Sequence, residues 1–199
     1  MIIGITGSSG AGKSTICEIL EKEYNVKIIN ADKIAKQLSK RGTNYMLDII
    51  SKFGKDIVDE DGELKRKKLA EIIYSNPQKR QELNSCTFKY IKEEIKKQID
   101  NIQENVTAII DAPLLFECKL DELCDKVIGI VAKRELQLDR IVARDNIDYE
   151  AAEKRLNAQE KNDFYIAKCD TIIENNGDLF EMEKEIKEIA ELYGLIVKE

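Results

Sequence analysis

The chain has no histidine among its 199 residues, and its five cysteines (Cys17, Cys86, Cys118, Cys124 and Cys169) include no Cys-x-x-Cys pair. The usual Cys/His zinc spacings are therefore missing, and an odd number of thiols argues against a disulfide framework. The thiols read as buried or incidental side chains. A net positive charge is also lacking, since 38 acidic residues outnumber 32 basic ones. The formal net charge is −6 at pH 7, which argues against sequence-independent binding to nucleic acid, because counterion displacement from phosphates needs a basic surface. An anionic ligand must then be held by a local group of cations. No apolar run approaches the length of a bilayer span, and Met1-Ile2-Ile3-Gly4-Ile5-Thr6 carries no basic leader, so a cytoplasmic protein with no membrane partner is expected.

What is present suits a soluble α/β protein. Hydrophobic residues make up 43% and charged residues 35%, a globular balance in a chain long enough for one core with a small insertion. Met1 to Thr6, Val26 to Asn30, Val106 to Ile110, Val127 to Val131 and Thr171 to Ile173 are short, β-branched runs without strict alternation, as expected of strands buried on both faces. Helical patterns separate them, such as Ile16, Ile19, Leu20 and Tyr24. The sum is a five-stranded, mostly parallel sheet with helices on both faces. Residues 1–32, 105–132 and 169–199 would form this core. Residues 33–104 carry almost no strand signal and read as a helical substrate lobe, with Asn76-Pro77 starting a long helix and Asp61-Gly62 marking a turn before another. Residues 133–168, rich in arginine, read as a helical lid. A final helix from Asp178 to Tyr193 ends before Gly194.

Gly7-Ser8-Ser9-Gly10-Ala11-Gly12-Lys13-Ser14 fits G-x-x-x-x-G-K-[ST], between a strand and an amphipathic helix. That is the context of a P-loop NTPase fold. Gly7, Gly10, Ala11 and Gly12 let backbone N–H groups turn inward around phosphate oxygens, Lys13 reaches the terminal phosphates of ATP, Ser14 ligates Mg²⁺, and Thr15 adds a phosphate contact. Asp32 falls at the carboxyl end of the second strand, where it either faces the transferred group or caps the helix that follows. Asp111 closes the third strand and either holds Mg²⁺ or caps a turn. Arg140 and Arg144, on one helical face, either clamp ATP or pair with Glu135 or Asp139. Lys65 to Lys68 is a charge run of which one member could hold an anionic substrate.

Taken in order, the P-loop, Asn30-Ala31-Asp32, Asp111-Ala112-Pro113-Leu114-Leu115-Phe116-Glu117, Arg140 with Arg144, Arg155-Leu156-Asn157-Ala158-Gln159 and Asn175-Asn176-Gly177 resemble the dephospho-coenzyme A kinase family over almost the whole chain. The resemblance implies an ATP- and Mg²⁺-dependent kinase whose partner is the small molecule dephospho-coenzyme A, phosphorylated on its ribose 3′-hydroxyl. It implies Asp32 as base, Lys13 and Arg140 in catalysis, Arg140, Arg144 and Asn175 at ATP, Arg66, Leu115 and Glu117 on the substrate side, and Ser14 with Asp111 at the metal. Two positions depart from the family pattern. Asn30 replaces an acid, and Cys86-Thr87-Phe88 stands where a His-Pro pair is usual. Another small-molecule P-loop kinase, acting on a nucleoside, nucleotide or sugar, would share the loop but differ in the helical lobe, and the loss of His-Pro leaves a nucleotide-dependent switch or binding module as a second alternative.

Overall fold

The computed structural model describes residues 1–198. In chain order the elements are β1 (Ile2–Gly7), α1 (Lys13–Glu23), β2 (Val26–Asn30), α2 (Ala31–Leu38), α3 (Asn44–Phe53), α4 (Arg66–Ser75) and α5 (Pro77–Asp100). They continue as β3 (Thr107–Asp111), β4 (Lys126–Val131), α6 (Arg134–Asp145), α7 (Tyr149–Asn157), α8 (Asn162–Lys168), β5 (Thr171–Glu174) and α9 (Leu179–Leu192). The sheet runs β2-β3-β1-β4-β5. β1 pairs in parallel with β3 and β4, and β4 with β5.

Strand alternation sorts side chains onto the two faces. Ile3 and Ile5 of β1 enter a core with Ile128 and Ile130 of β4, with Ile16, Cys17 and Leu20 of α1, and with Ile186, Ile189 and Ala190 of α9. On the other face, a Cβ on Gly4 would press on Leu115 at 3.0 Å and on Cys124 at 2.9 Å, and one on Gly129 would meet Cys169 at 2.8 Å. Full burial of side chains such as Ile3, Ile5 and Ile16 stabilises by about 1.5–3 kcal/mol each. Strand ends lie within one residue of expectation. β3 is shifted one position onward, because its register sets Ile5 of β1 beside Asp111.

The chain divides into two compact units, one of residues 1–29 with 102–199 and one of residues 30–101. The first junction falls three residues before the expected 32/33 boundary, at the helix cap formed by Asn30. Residues 133–168, expected as a separate lid, lie inside the first unit, where Leu138 and Ile141 of α6 bury against Ala152 and Leu156 of α7. The second unit has its own core, with Tyr45, Met46, Ile49, Ile57, Leu69 and Cys86 buried together. Asn76 caps α5 by accepting from the Lys79 N–H at 3.1 Å, with Pro77 in the first turn. Where a His-Pro pair is usual, Thr87 donates to the Leu83 carbonyl at 2.8 Å and meets the Tyr45 hydroxyl at 3.0 Å, and α5 runs through this point to Asp100.

Candidate functional site

The loop from Gly7 to Gly12 joins the central strand to the start of α1. Gly10 (φ +76°) and Gly12 (φ +98°) lie in the left-handed region. A side chain at either is excluded twice over, by conformation and by space. A Cβ at Gly10 would stand 2.5 Å from the Gln137 carbonyl oxygen, and one at Gly12 would strike the Asn175 amide. Among the described residues no side chain caps α1, and its first turn has no acidic residue. Its N–H groups and positive dipole end are left for an anion.

The loop's carbonyls are tied down from outside. The Ser9 carbonyl oxygen accepts from Gln137 Nε2 at 3.3 Å, the Gly10 oxygen from Arg140 Nη1 at 3.2 Å, and the Ala11 oxygen from Asn175 Nδ2 at 2.8 Å. Gln137 also donates to the Ser8 hydroxyl at 2.7 Å. Arg140 reaches the Asn175 carbonyl and side-chain oxygens at 3.1 and 3.4 Å. The Ser9 and Ala11 N–H groups donate to Gln159 Oε1 and to the Ser8 carbonyl, and with the carbonyls fixed outward the loop's other N–H groups are left for an anion, as in a nest. Lys13 forms an ion pair with Asp111, their side chains only 12% and 5% exposed. Burial, reinforced by the Asp111 charge, pushes the neighbouring Cys17 thiol up to about 12.

The family model for dephospho-CoA kinase matches residues 1–181. The chain belongs to the dephospho-CoA kinase family. A Fusobacterium nucleatum dephospho-CoA kinase is 40% identical, covering 96% of this chain and 97% of its own. A solved Campylobacter jejuni dephospho-CoA kinase is 32% identical with a TM-score of 0.69, covering 96% of this chain and 95% of its own. A Thermus thermophilus crystal structure, 23% identical and covering 96% and 97% of the two chains, shares the fold with a TM-score of 0.81.

For this kinase the two arginines of α6 part company. Arg140 is spent on the loop backbone and Asn175. Arg144 chelates Asp145 at 2.8 Å through two nitrogens, and Arg155 pairs with the same carboxylate. Arg144 therefore pairs with neither Glu135 nor Asp139, because the adjacent residue offers a bidentate partner. The hydrogen bond from Arg144, backed by both guanidinium charges, holds the Asp145 carboxyl below its usual range. Leu115, expected on the substrate side, is fully buried, in contact range of Gly4. Its side chain is part of the core because the turn after β3 folds it under β1. Glu117 is exposed. It contributes, after burial, to pushing the Tyr165 hydroxyl up to about 12.

In the second unit Asp32 is exposed in the first turn of α2, but it is not the cap. Asn30 takes that role, its Oδ1 accepting from the Lys33 N–H at 2.8 Å. The replaced acid of the family pattern thus becomes intelligible, since Asn and Asp cap about equally well. Arg66 opens α4 and is exposed. Sequence reasoning passed over Gln137, and it quoted Gln159 in a motif without giving it a role. Gln159 Oε1 accepts from the Ser9 N–H at 2.8 Å. The available signal for Gln137 was a glutamine in line with Leu138 and Ile141, the buried stripe of α6.

Proposed function

We propose that this kinase transfers the γ-phosphoryl group of ATP to the ribose 3′-hydroxyl of dephospho-coenzyme A, giving coenzyme A and ADP, the last step of coenzyme A synthesis. The observation that carries this reading is the phosphate loop, its carbonyls pinned outward at a helix start with no side-chain cap and no acid in its first turn, in a chain that matches the family through residue 181. In the step itself the 3′-oxygen bonds to the γ-phosphorus as its proton goes to a base. The bond from that phosphorus to the β–γ bridging oxygen breaks, and ADP leaves.

Phosphoryl transfer asks the protein chiefly for positioning and charge neutralisation. The loop N–H groups and Lys13 would take the phosphates. Lys13 would exchange its Asp111 partner for the triphosphate. Asp32 is assigned as the base, since its exposed carboxylate is spared from capping by Asn30. No cluster of three or more His, Cys, Asp or Glu able to hold a metal is found among the described residues. The oxygens of Ser14 and Asp111 suit a hard cation that arrives with phosphates instead of sitting in a protein cage. Held there, Mg²⁺ would supply positive charge against the phosphates. Residues 33–104 are assigned to the acceptor, with Arg66 for its anionic groups, and residues 133–168 to covering ATP. No helix among the described residues is long and apolar enough to cross a membrane, and the cytoplasm, where ATP is supplied, is the compartment we assign.

The test is direct. Purified protein with Mg·ATP is offered dephospho-coenzyme A, nucleosides, nucleoside monophosphates and sugars, and ADP release is followed with the product's phosphate located by NMR. Dephospho-coenzyme A should turn over fastest, with phosphate at the 3′ position. Equal or faster turnover of any other acceptor overturns the assignment.

A further inference from the structure

Ser9, on the crest of the phosphate loop, has both backbone polar groups held by glutamine carboxamides. Gln159 Oε1 accepts from its N–H at 2.8 Å, and Gln137 Nε2 donates to its carbonyl at 3.3 Å. The two glutamines come from different places. Gln137 is a buried residue of α6, 4% exposed. Gln159 sits on the turn after α7, where its own N–H bonds the Leu156 carbonyl and the Ala158 N–H bonds the Lys154 carbonyl, each at 3.2 Å. Leu156 is locked into the cluster that joins α7 to α6. The carboxamides therefore grip Ser9 from a rigid mount. A long side chain gives up rotamer freedom to be held in this way.

We infer that Gln159, working with Gln137, is a positioning residue of the ATP site that presets the loop crest before nucleotide arrives. This rests on the reading of the loop as an ATP site. Without the Gln159 oxygen, the Ser9 N–H turns to water and the crest visits conformations that do not form the cradle. Only a fraction of molecules is then ready to bind, and the apparent affinity falls by that fraction. Once ATP is bound the loop is the same as in the parent, so turnover at saturation is retained. Gln159→Glu separates shape from charge. It keeps an acceptor for Ser9, and a stronger one, but sets a carboxylate against the triphosphate.

The experiment follows amide exchange at Ser9 by NMR in the nucleotide-free protein, ATP binding by calorimetry, and kcat and KM. Gln159→Ala should speed Ser9 exchange and weaken ATP binding, each by about tenfold, and leave kcat within about threefold of the parent. Gln159→Glu should restore slow exchange but not ATP binding. Unchanged Ser9 exchange or unchanged ATP affinity in Gln159→Ala overturns the inference. So does faster exchange throughout α7, which would show general loosening, and so does recovery of ATP binding by Gln159→Glu. If the parent itself fails to bind ATP, the reading of the site falls, while the Ser9 exchange of the two variants still decides whether Gln159 presets the loop.

Discussion

Two helices of this molecule, α1 and α2, begin at the ends of neighbouring stretches of chain and begin in opposite ways. At α1 the cap position is Gly12, which has no side chain to offer, and the first turn carries no acid. At α2 the cap is Asn30, bonded to Lys33, and Asp32 adds a negative charge in the first turn. The α2 start satisfies itself within four residues of sequence. The α1 start is left open, and the side chains that shape it come from far along the chain, from Asp111, Gln137, Arg140, Gln159 and Asn175. A helix start built to receive an anion is one that its own chain declines to cap while other segments hold it still.

The largest expected effect tests whether Asp32 is free for chemistry because Asn30 does the capping. Asp32→Asn should lower kcat by about 10²–10⁴, the usual loss for a positioned base. Thermal melting should shift little, since only a helix-dipole contribution of about 0.3–1 kcal/mol is touched. ATP binding should match the parent. If kcat at saturating dephospho-coenzyme A stays within about threefold of the parent, far less than a base would cost, another group receives the proton and the two helix starts differ in stability alone.

On the open side, Lys13→Met should lower kcat by about 10²–10³, as for loss of one donor to the transferring group. It should also destabilise the protein, because Asp111, 5% exposed, would keep its buried charge and lose the lysine's, and breaking a buried ion pair costs about 3–5 kcal/mol. Adding Asp111→Asn to Lys13→Met should return much of the lost melting midpoint and none of the turnover. A double variant that melts no higher than Lys13→Met would detach the pair from stability. Near-parent kcat in Lys13→Met would remove the lysine from catalysis.

How much of this was legible in the sequence follows the same divide. Local signals read correctly: the glycine pattern of the loop, Asn76-Pro77 at the head of α5, and Gly194 (φ +64°) after α9. Each depends on residues a few positions apart. The Lys13–Asp111 pair spans 98 positions and the Gln159–Ser9 bond spans 150, and no periodicity encodes them. Helical spacing put Arg140 and Arg144 on one face, but it could not say that Asp145 would take Arg144 while the loop carbonyls took Arg140. Leu115 shows the reverse. Its place in a functional motif suggested a substrate contact, and the motif could not say that the turn after β3 buries its side chain.

The sealing of the open site can be read from pH. Cys17 lies under the Lys13–Asp111 pair, and burial, then Asp111, raise its thiol from 9.0 to about 12. An acid whose pKa is raised on folding stabilises fully below its unfolded value and loses that contribution as pH climbs toward the folded one. Stability should therefore decline between about pH 9 and pH 12, by up to about 1.4 kcal/mol per pH unit for this thiol. Urea midpoints measured over that range should fall more gently in Cys17→Ala. Identical slopes in the two proteins would mean that water reaches the thiol and that the region beneath the loop is not sealed.

The smallest effect belongs to the self-satisfied helix start. Asn30→Ala removes the oxygen that accepts from the Lys33 N–H and should cost about 1 kcal/mol, within the 0.5–2 kcal/mol range of N-cap losses. Asn30→Asp should be close to neutral, because either side chain supplies the same acceptor, and its charge favours the helix dipole. The pair of variants sharpens the contrast with Asp32, two residues on. A change at Asn30 should move the melting midpoint and leave kcat close to the parent, while a change at Asp32 should do the opposite. If Asn30→Ala instead lowers kcat at saturating substrates as far as Asp32→Asn does, with melting unmoved, the two residues act together on the acceptor. The division between a helix start that folds and one that binds would then fail at α2.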